Sequence, residues 1–345
     1  MKNPIKRIIV ANTGKIRSMV LSIPSFFMAK KMFPDGEIVV LTREHNHEIA
    51  RSLPYIDRIF KIEDYKKAEV AEKIAYFNAD VFIALNEDVF LEKMAKASGA
   101  KIKIGPITGF SSFFTYNRGV FQNRAKAVKN EGEYNLDLVK KLNRKLFTDN
   151  FELNAQLYLS NASKVAADAF FKARSILGPS LAVSPFTGGS GKNLTDAQYI
   201  SLLRKFIEKN RDVRVIILCS IDQEERATQL MERIDAEGVC LFPNGGDLLN
   251  IAAVIHKASL YLGPVAGPAQ MAGALKKPAV VITPSRPDYG QRRWGLLGDE
   301  QVLYVTPDAG PGKKENYRKK TFDSYDADTE NLILTELGKF FRFHA

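Results

Sequence analysis

Cysteine and histidine are scarce in this sequence of 345 residues, which contains two of the first and four of the second. Cys219 and Cys240 lie in or beside apolar runs and lack CxxC spacing, so we expect reduced core thiols in a cytoplasmic protein. The four histidines form no metal-ligand cluster. These shortages argue against a disulfide framework and against a bound metal.

Long apolar runs and common nucleotide motifs are also missing. The N-terminal stretch MVLSIPSFFMA (19–29) is too short to span a bilayer of about 30 Å, and we expect no cleaved signal and no transmembrane helix. GxxxxGK(S/T), GxGxxG, HExxH and the nucleophile elbow are absent. Their absence argues against P-loop enzymes, simple dinucleotide enzymes, metallohydrolases and proteases.

Positive charge is abundant: 50 basic residues oppose 39 acidic ones, for a net charge of +11. This balance favours an anionic partner, which a phosphorylated substrate, a nucleic acid or an acidic membrane surface would each supply. No recognised nucleic-acid motif accompanies the basic residues, so nucleic acid is not an expected partner. The length is sufficient for two domains, each with its own core.

Apolar runs alternate with amphipathic segments in both halves of the chain. Such alternation predicts α/β domains with parallel sheets that are covered on both faces. We expect two doubly wound domains, at 1–172 and 181–325, followed by an amphipathic helix in 326–345. The predicted strands are 7–11, 37–41, 58–62, 80–85 and 101–105 in the first half, and 180–186, 213–220, 239–242, 259–263 and 279–283 in the second.

The segment 105–147 differs in composition from the alternating segments. It contains glycines, exposed-looking aromatic residues and the basic residues Arg118, Arg124, Lys126 and Lys129. We interpret it as a mobile substrate loop that leads into an amphipathic helix from about Tyr134. A solvated surface excursion is the alternative.

Ligands of open parallel sheets bind beyond the carboxyl ends of the strands. This rule selects the loops 12–18, 187–192, 221–225 and 263–270. In FTGGSGKN (186–193), glycines let backbone N–H groups approach a phosphate, and Lys192 supplies charge. In GPVAGPAQMAGAL (263–275), Gly267 and Pro268 begin a helix whose dipole favours an anion. An exposed turn and a simple close-packing junction are the respective alternatives.

Several segments carry a resemblance to one family. KRIIVANTGKIRSMVLSIPSFFMAKKMFPDGEIVVLTREHNHEIARSLPYIDRIFKI at the start, SPFTGGSGKNLTDAQYISLLRKF, and DLLNIAAVIHKASLYLGPVAGPAQMAGALKKPAVVI resemble glycosyltransferase family nine, the ADP-heptose:lipopolysaccharide heptosyltransferases. The resemblance implies two Rossmann-like domains facing across a cleft (GT-B type). It also implies that the nucleotide sugar binds the C-terminal domain and the acceptor binds the N-terminal one. The reaction would need no metal and no separate cofactor, and the C-terminal helix would pack back on the first domain.

The sequence departs from the family at the motif residues. A glycine-aspartate pair of the family, whose aspartate is its general base, is replaced here by Arg17 and Ser18. The Asp, Thr and His of its second motif are replaced by Val265, Ala266 and Gln270. A neutral serine without a basic partner is a poor proton acceptor, and loss of a general base typically costs about 10²- to 10⁴-fold in rate.

The candidate site residues follow from this alignment. The catalytic candidate is Ser18, at the position of the family's base. Arg292 and Arg293 could contact the donor or the acceptor and are assigned to neither. For Lys15 and Arg17, the alternative to ligand binding is that both side chains simply point to solvent. The donor-binding candidates are Thr187, Gly188, Lys192, Glu224, Gly267, Pro268 and Gln270, and the acceptor-binding candidates are Lys15, Arg17, Arg118 and Arg124.

The expected function is transfer of a sugar, by default a heptose from ADP-heptose, to a lipopolysaccharide core or a related bacterial surface glycan. The expected reaction is inverting and metal-independent, the acceptor is an anionic glycolipid, and the protein lies in the cytoplasm with peripheral contact to the inner membrane. The alternative is a catalytically inactive family member that acts as a binding or assembly protein.

Overall fold

The structure of the chain is a computed structural model that describes residues 5–188, 191–243, 246–298, 301–309, 312–313 and 315–343. The chain divides into two compact units, Met1–Tyr158 and Leu159–Ala345. Each unit is built around its own parallel sheet.

The first unit contains a five-stranded parallel sheet and a small parallel pair of strands. Its strands are β1 (Arg7–Asn12), β2 (Glu37–Thr42), β3 (Arg58–Lys61), β4 (Val81–Ala84), β5 (Ile102–Ile104), β6 (Pro106–Ile107) and β7 (Val120–Phe121). Its helices are α1 (Ile16–Val20), α2 (Ile23–Met32), α3 (His47–Arg51), α4 (Val70–Ala75), α5 (Val89–Ala97), α6 (Phe110–Thr115), α7 (Glu131–Leu142) and α8 (Arg144–Asn150). The sheet order is β3-β2-β1-β4-β5, and β6 pairs with β7.

The second unit contains a six-stranded parallel sheet in the order β10-β9-β8-β11-β12-β13. Its strands are β8 (Ser180–Val183), β9 (Arg214–Leu218), β10 (Val239–Phe242), β11 (Leu260–Pro264), β12 (Ala279–Ile282) and β13 (Val302–Val305). Its helices are α9 (Asn161–Ala173), α10 (Asp196–Lys209), α11 (Glu224–Ile234), α12 (Leu248–Lys257), α13 (Gly267–Ala274), α14 (Gln291–Trp294) and α15 (Ala327–Phe343).

The predicted fold class is confirmed. Every predicted strand is present, and the central strands are buried along almost their whole length because helices cover both faces of each sheet. Strand β13 was not predicted, since its side chains alternate between exposed and partly buried positions at the sheet edge. The segment 105–147 is folded rather than a loop: it forms β6, α6, β7 and α7, and α7 begins at Glu131 behind the N-cap Asn130.

The strand order creates a switch point in each sheet, where successive strands move to opposite sides of the first one. In the first unit this point lies between β1 and β4, and in the second unit between β8 and β11. Loops that leave the carboxyl ends of such strands diverge and leave room for a ligand. The loops 12–18 and 85–88 in the first unit, and the loops after β8 and β11 in the second, therefore lie at these switch points.

The boundary between the units falls earlier than predicted, because α9 belongs to the second unit. The ring of Phe170 on α9 lies edge-on against Phe242 with centroids 5.0 Å apart, and Asp168 pairs with Lys257 of α12. The buried face of α15 lies in the core of the second unit, where Phe341 contacts Phe206. That face is occupied within its own unit, and the expected contact of 326–345 with the first unit stays a prediction.

Local sequence signals explain how α10 is placed after the loop that follows β8. Thr195 is its N-cap and accepts a hydrogen bond from the backbone N–H of Gln198, whose side chain accepts from the backbone of Thr195 in return. This reciprocal arrangement is the predicted capping box. The predicted apolar face of the helix, which includes Leu203 and Phe206, is buried.

Within the described residues, none of the helices has the length and apolar character that crossing a membrane requires. Cys219 and Cys240 are both free thiols, and burial raises the pKa of Cys219 to about 11.

Gly263, near the end of β11, is expected to be intolerant of a side chain. A Cβ there would lie 2.9 Å from the carbonyl oxygen of Ser184 and would also meet the hydroxyl of Tyr261. We predict that Gly263→Ala lowers the free energy of unfolding by about 1–3 kcal/mol through overpacking, as measured by urea denaturation. Gly178→Ala is the matched control, since its Cβ would make an ordinary contact at 3.7 Å; equal losses in both variants would contradict the prediction.

Candidate functional site

The switch point of the first unit carries a network of polar side chains. The backbone N–H of Thr13 donates to Asn86 Oδ1 at 2.9 Å, and the Thr13 hydroxyl donates to Asp88 Oδ2 at 2.6 Å. Asn86 Nδ2 in turn donates to Ser18 Oγ at 3.0 Å. The loops after β1 and β4 are therefore fixed to each other by side-chain amide, hydroxyl and carboxylate groups.

Ser18 is a structural member of this network. It is 5% exposed, and its Oγ accepts hydrogen bonds from the side-chain amides of Asn86 and Asn12, the latter at 3.4 Å. Its backbone carbonyl accepts from Ser22 Oγ at 2.8 Å. An amide that donates to a hydroxyl does not increase its basicity, so the geometry does not favour Ser18 as a proton acceptor.

The cations predicted near this loop lie in different surroundings. Lys15 is exposed, and Arg17 is partly buried in α1. His45, on the loop after β2, places Nε2 3.1 Å from the carbonyl oxygen of Gly14, and Asn46 Nδ2 donates to the same oxygen at 2.7 Å. The loop is thus supported from two sides, and Lys15 is its exposed cation.

Arg124, predicted to contact an acceptor, is buried instead. Its guanidinium pairs with Glu131, which is also buried, and donates from Nη2 to Gln122 Oε1 at 2.7 Å. This placement favours a structural role under the segment 120–131. Arg118 is partly exposed and donates to the carbonyl of Leu142 at 3.1 Å.

The loop after β8 in the second unit carries three predicted donor ligands. Thr187 is partly exposed and Gly188 is exposed, whereas Gly189 and Ser190 lie outside the described residues. Lys192 is buried, and its ammonium donates to a carboxylate oxygen of Glu315 and to the carbonyl oxygen of Thr321, the latter at 2.8 Å. Lys192 is therefore not a freely exposed phosphate ligand.

Glu315 lies on a segment that covers this loop, residues 315–322, which we name the strap. The strap joins the loop by backbone hydrogen bonds: Asn193 donates to the carbonyl of Lys320 at 2.9 Å, and Phe322 donates to the carbonyl of Asn193 at 3.1 Å. Burial by itself raises the pKa of the Glu315 carboxyl, whereas the ion pair and hydrogen bonds to it lower the pKa by more, so the net shift is downward. The carboxylate thus stays ionised opposite the ammonium.

The turn before α13 presents backbone rather than side chains. Val265 is buried, whereas Ala266, Gly267 and Pro268 are partly exposed. Ala266 is the N-cap of the helix and provides no side-chain cap. Its own N–H donates to the carbonyl oxygen of Pro264 at 2.7 Å and Pro268 has no N–H, so the partly exposed part of the first turn offers the N–H of Gly267 to an anion. Gln270 is buried and donates to the carbonyl of Trp294 at 2.6 Å, which makes it a support for α14 rather than a ligand contact.

Glu224 is exposed at the first residue of α11, after the carboxyl end of β9. Its contact with the donor stays a prediction. Of the two unassigned arginines, Arg292 is exposed, and Arg293 stacks on Trp294 with its guanidinium carbon 4.8 Å from the ring centroid.

Two polar groupings were not predicted as site residues. One is the pair Asn86 and Asp88 in the first unit. The other lies after β12 and β13, where Asp308 accepts from the Ser285 backbone at 2.8 Å and from the Tyr317 hydroxyl. A carboxylate soon after a strand was a detectable signal for Asp88, because NED (86–88) follows the predicted strand 80–85 directly. No group of His, Cys, Asp and Glu that would suit a metal ion occurs within the described ranges.

Known proteins share this architecture. E. coli ADP-heptose lps heptosyltransferase II is similar with a TM-score of 0.77 and 15% identity, covering 99% of each chain. A glycosyl transferase family 9 protein from Veillonella parvula is similar with a TM-score of 0.80 and 14% identity, covering 99% of this chain and 98% of that one. E. coli heptosyltransferase WaaC with ADP is similar with a TM-score of 0.64 and 15% identity, covering 97% of this chain and 99% of that one. These likenesses define the fold as that of a GT-B-type glycosyltransferase.

The sequence comparisons make the assignment more specific. The profile of "Glycosyltransferase family 9 (heptosyltransferase)" matches residues 89–320. A Haemophilus influenzae protein described as "Putative glycosyltransferase" is 24% identical over 341 residues, which are 95% of this chain and 97% of that protein. The chain belongs to glycosyltransferase family 9.

The buried pair of Lys192 and Glu315 generates a stability prediction. Glu315→Gln leaves the buried ammonium without its counterion and should lower the free energy of unfolding at pH 7 by about 3 kcal/mol. Because the pKa of Glu315 is lowered in the folded chain, its contribution is fully present above about pH 4.3 and is lost as the pH falls through the lowered pKa. The variant should therefore lose stability less steeply with acid.

Urea unfolding between pH 7 and pH 3 measures both effects. Glu336→Gln is the matched control, since Glu336 forms a more exposed pair with Lys339 at 2.7 Å and should change stability by less than about 1 kcal/mol. A variant at 315 that follows the wild-type pH profile would contradict the ion-pair argument.

Proposed function

We propose that the chain transfers a sugar, by default a heptose from ADP-heptose, to a lipopolysaccharide core or a related bacterial surface glycan. The reaction we propose is inverting and metal-independent, with the nucleotide sugar held by the second unit and the acceptor by the first. The observation that carries the proposal is the partly exposed turn 266–268 at the switch point of the second sheet, beside the loop of Thr187.

Charge and hydrogen-bonding capacity support a diphosphate at this place. The N–H groups that begin α13 favour an anion. The Lys192 ammonium has three donors, and two of them have described partners in Glu315 and Thr321. Movement of Glu315 with the strap would expose the ammonium further. Glu224 on the neighbouring loop is positioned to accept from ribose hydroxyl groups, and the E. coli relatives with ADP and with ADP-2-deoxy-2-fluoro heptose bind ligands of this class.

The acceptor side requires a group that removes a proton from the attacking hydroxyl, and we propose Asp88 for this role. Its carboxylate is half-buried at the carboxyl end of β4, next to the loop after β1. The Thr13 hydroxyl orients one oxygen, and the backbone N–H of Phe90 donates to the other at 2.8 Å. A carboxylate oxygen has two lone pairs, so each oxygen can still accept a proton from a substrate.

The acceptor we propose is an anionic glycolipid, and the protein would reach it in the cytoplasm at the surface of the inner membrane. Lys15 is exposed on the loop after β1, and Arg17 and Arg118 are partly exposed in the same unit. Cations of this kind raise the local concentration of an anionic substrate. Arg124 contributes indirectly, by holding the segment that contains Gln122.

Nucleotide binding is the first test. ADP-heptose and ADP should raise the thermal midpoint of the chain, by roughly 4 °C at a free concentration one hundred times the dissociation constant, whereas GDP- and UDP-sugars serve as the comparison. Glu224→Gln should weaken ADP binding about tenfold through loss of a charged hydrogen bond. Glu225→Gln, which changes the adjacent exposed carboxylate, should leave it unchanged.

If no nucleotide or nucleotide sugar shifts the midpoint at millimolar concentration, the transferase proposal fails. The chain would then be a family member that binds or assembles with other molecules without catalysis.

The role of Asp88 is tested by Asp88→Asn, which retains the N-cap of α5 because asparagine caps helices as well as aspartate does. We predict that kcat for transfer to a truncated lipopolysaccharide acceptor falls about 10²- to 10⁴-fold, while the thermal shift with ADP is unchanged. Adding Ser18→Asp to this variant restores a carboxylate at the family's position beside Asn86 and should recover part of the rate.

Two further variants complete the design. Glu87→Gln changes an exposed neighbouring carboxylate and should retain the wild-type kcat. A large loss in His45→Gln together with full activity in Asp88→Asn would place the base on the loop after β2 and refute the assignment to Asp88.

A further inference from the structure

The surface of the first unit carries four phenylalanines in unusual exposure. Phe110, Phe113 and Phe114 on α6 are 83%, 54% and 67% exposed, and Phe121 on β7 is 75% exposed. Single exposed apolar residues are normal, whereas a contiguous group marks an interaction surface. We name these four residues the aromatic patch.

The exposure is built into the local fold. Ser112 is buried and its hydroxyl accepts from the backbone N–H groups of Thr108 and Gly109, each at 3.0 Å, which fixes the start of α6. Tyr116 packs beneath against Gly105, where no Cβ would fit. With the polar side of the helix turned inward, the rings are turned outward. The three rings of α6 contact one another, with the centroids of Phe110 and Phe114 4.8 Å apart and those of Phe113 and Phe114 5.4 Å apart.

A basic pocket adjoins the aromatic patch. It has a volume of about 1010 Å³, and Phe113 forms part of its wall. Its single acidic lining residue, Asp137, already pairs with Lys129 at 2.6 Å. The cations that line it are Arg118, Lys140, Lys141 and Arg144. The pocket is therefore suited to anions, and it lies where the aromatic rings begin.

We propose that the aromatic patch and the basic pocket together bind the surface of a membrane that contains anionic lipids. Aromatic side chains on a short amphipathic element insert into the boundary between headgroups and acyl chains, and basic residues beside them attract anionic headgroups. The four cations beside the rings favour this occupant over an apolar protein groove, which would leave them unpaired.

This inference gives the membrane contact of the proposed function a defined surface, and it rests on that function only for the identity of the membrane. Binding to vesicles involves no sugar transfer and no nucleotide. A chain that fails to bind vesicles can still bind nucleotide and transfer a sugar. Equally, a chain that binds no nucleotide can still bind vesicles, so the two failures are distinguishable.

The experiment is sedimentation of the full chain with phosphatidylcholine vesicles, prepared with or without about 30% phosphatidylglycerol to supply anionic headgroups. We expect binding at least tenfold stronger to the anionic vesicles, weakening with added salt. Phe110→Ser/Phe114→Ser and Lys140→Gln/Lys141→Gln should each weaken it tenfold or more. Because all four substituted side chains lie at the surface or line the pocket, unchanged thermal midpoints will confirm folding.

Matched controls change equivalent groups elsewhere in the same unit. Tyr76→Ser removes a ring that is 72% exposed, and Lys66→Gln/Lys67→Gln removes two exposed charges; both should bind within twofold of wild type. The proposal is overturned if the chain does not bind anionic vesicles, or if the control and patch variants weaken binding equally. Concentration-dependent self-association that Phe110→Ser/Phe114→Ser abolishes, in a chain that ignores vesicles, would identify the patch as a contact between copies and would also overturn it.

Discussion

Parallel strands need crossover connections, usually helices, so both faces of a parallel sheet have to be covered by helices. In each unit this requirement removes the strand faces from contact with ligands and leaves the strand ends. The reversal of strand order beside β1 and β8 then separates the loops at one place in each sheet. The amide network around Asn86 and the turn before α13 both lie at these places, at the carboxyl ends of buried strands.

At the first of these places amides and hydroxyls surround Ser18, which is held by Asn12 and Asn86. A carboxylate nevertheless remains in the network at Asp88, on the adjacent strand end. Two neighbouring strands of a parallel sheet present their carboxyl ends side by side. A carboxylate at the end of either β1 or β4 can therefore reach the same site.

Strand positions and the capping box of α10 were predictable because they depend on residues close together in sequence. Contacts between distant residues were not: Lys192 and its counterion Glu315 are paired through a strap that no local pattern connects to the loop. The burial of Arg124 depends on Gln122 and Glu131, whereas the glycines, aromatic residues and basic residues of 105–147 predict a mobile substrate loop. The edge strand β13 was missed because half-exposed edges lack the continuous apolar run of a central strand. The exposed aromatic residues of 105–147 were recognised, but not the helix that displays them.

The backbone hydrogen bonds between Asn193 and the strap have a consequence for how the loop after β8 responds to substitutions. Loop and strap form one pairing, so the conformational entropy lost in ordering the loop is shared with a segment near the end of the sheet. A substitution in the strap alters the loop as directly as a substitution in the loop itself. Under the proposed function, the donor preference would therefore be encoded as readily in residues 315–322 as in the glycine-rich turn after β8.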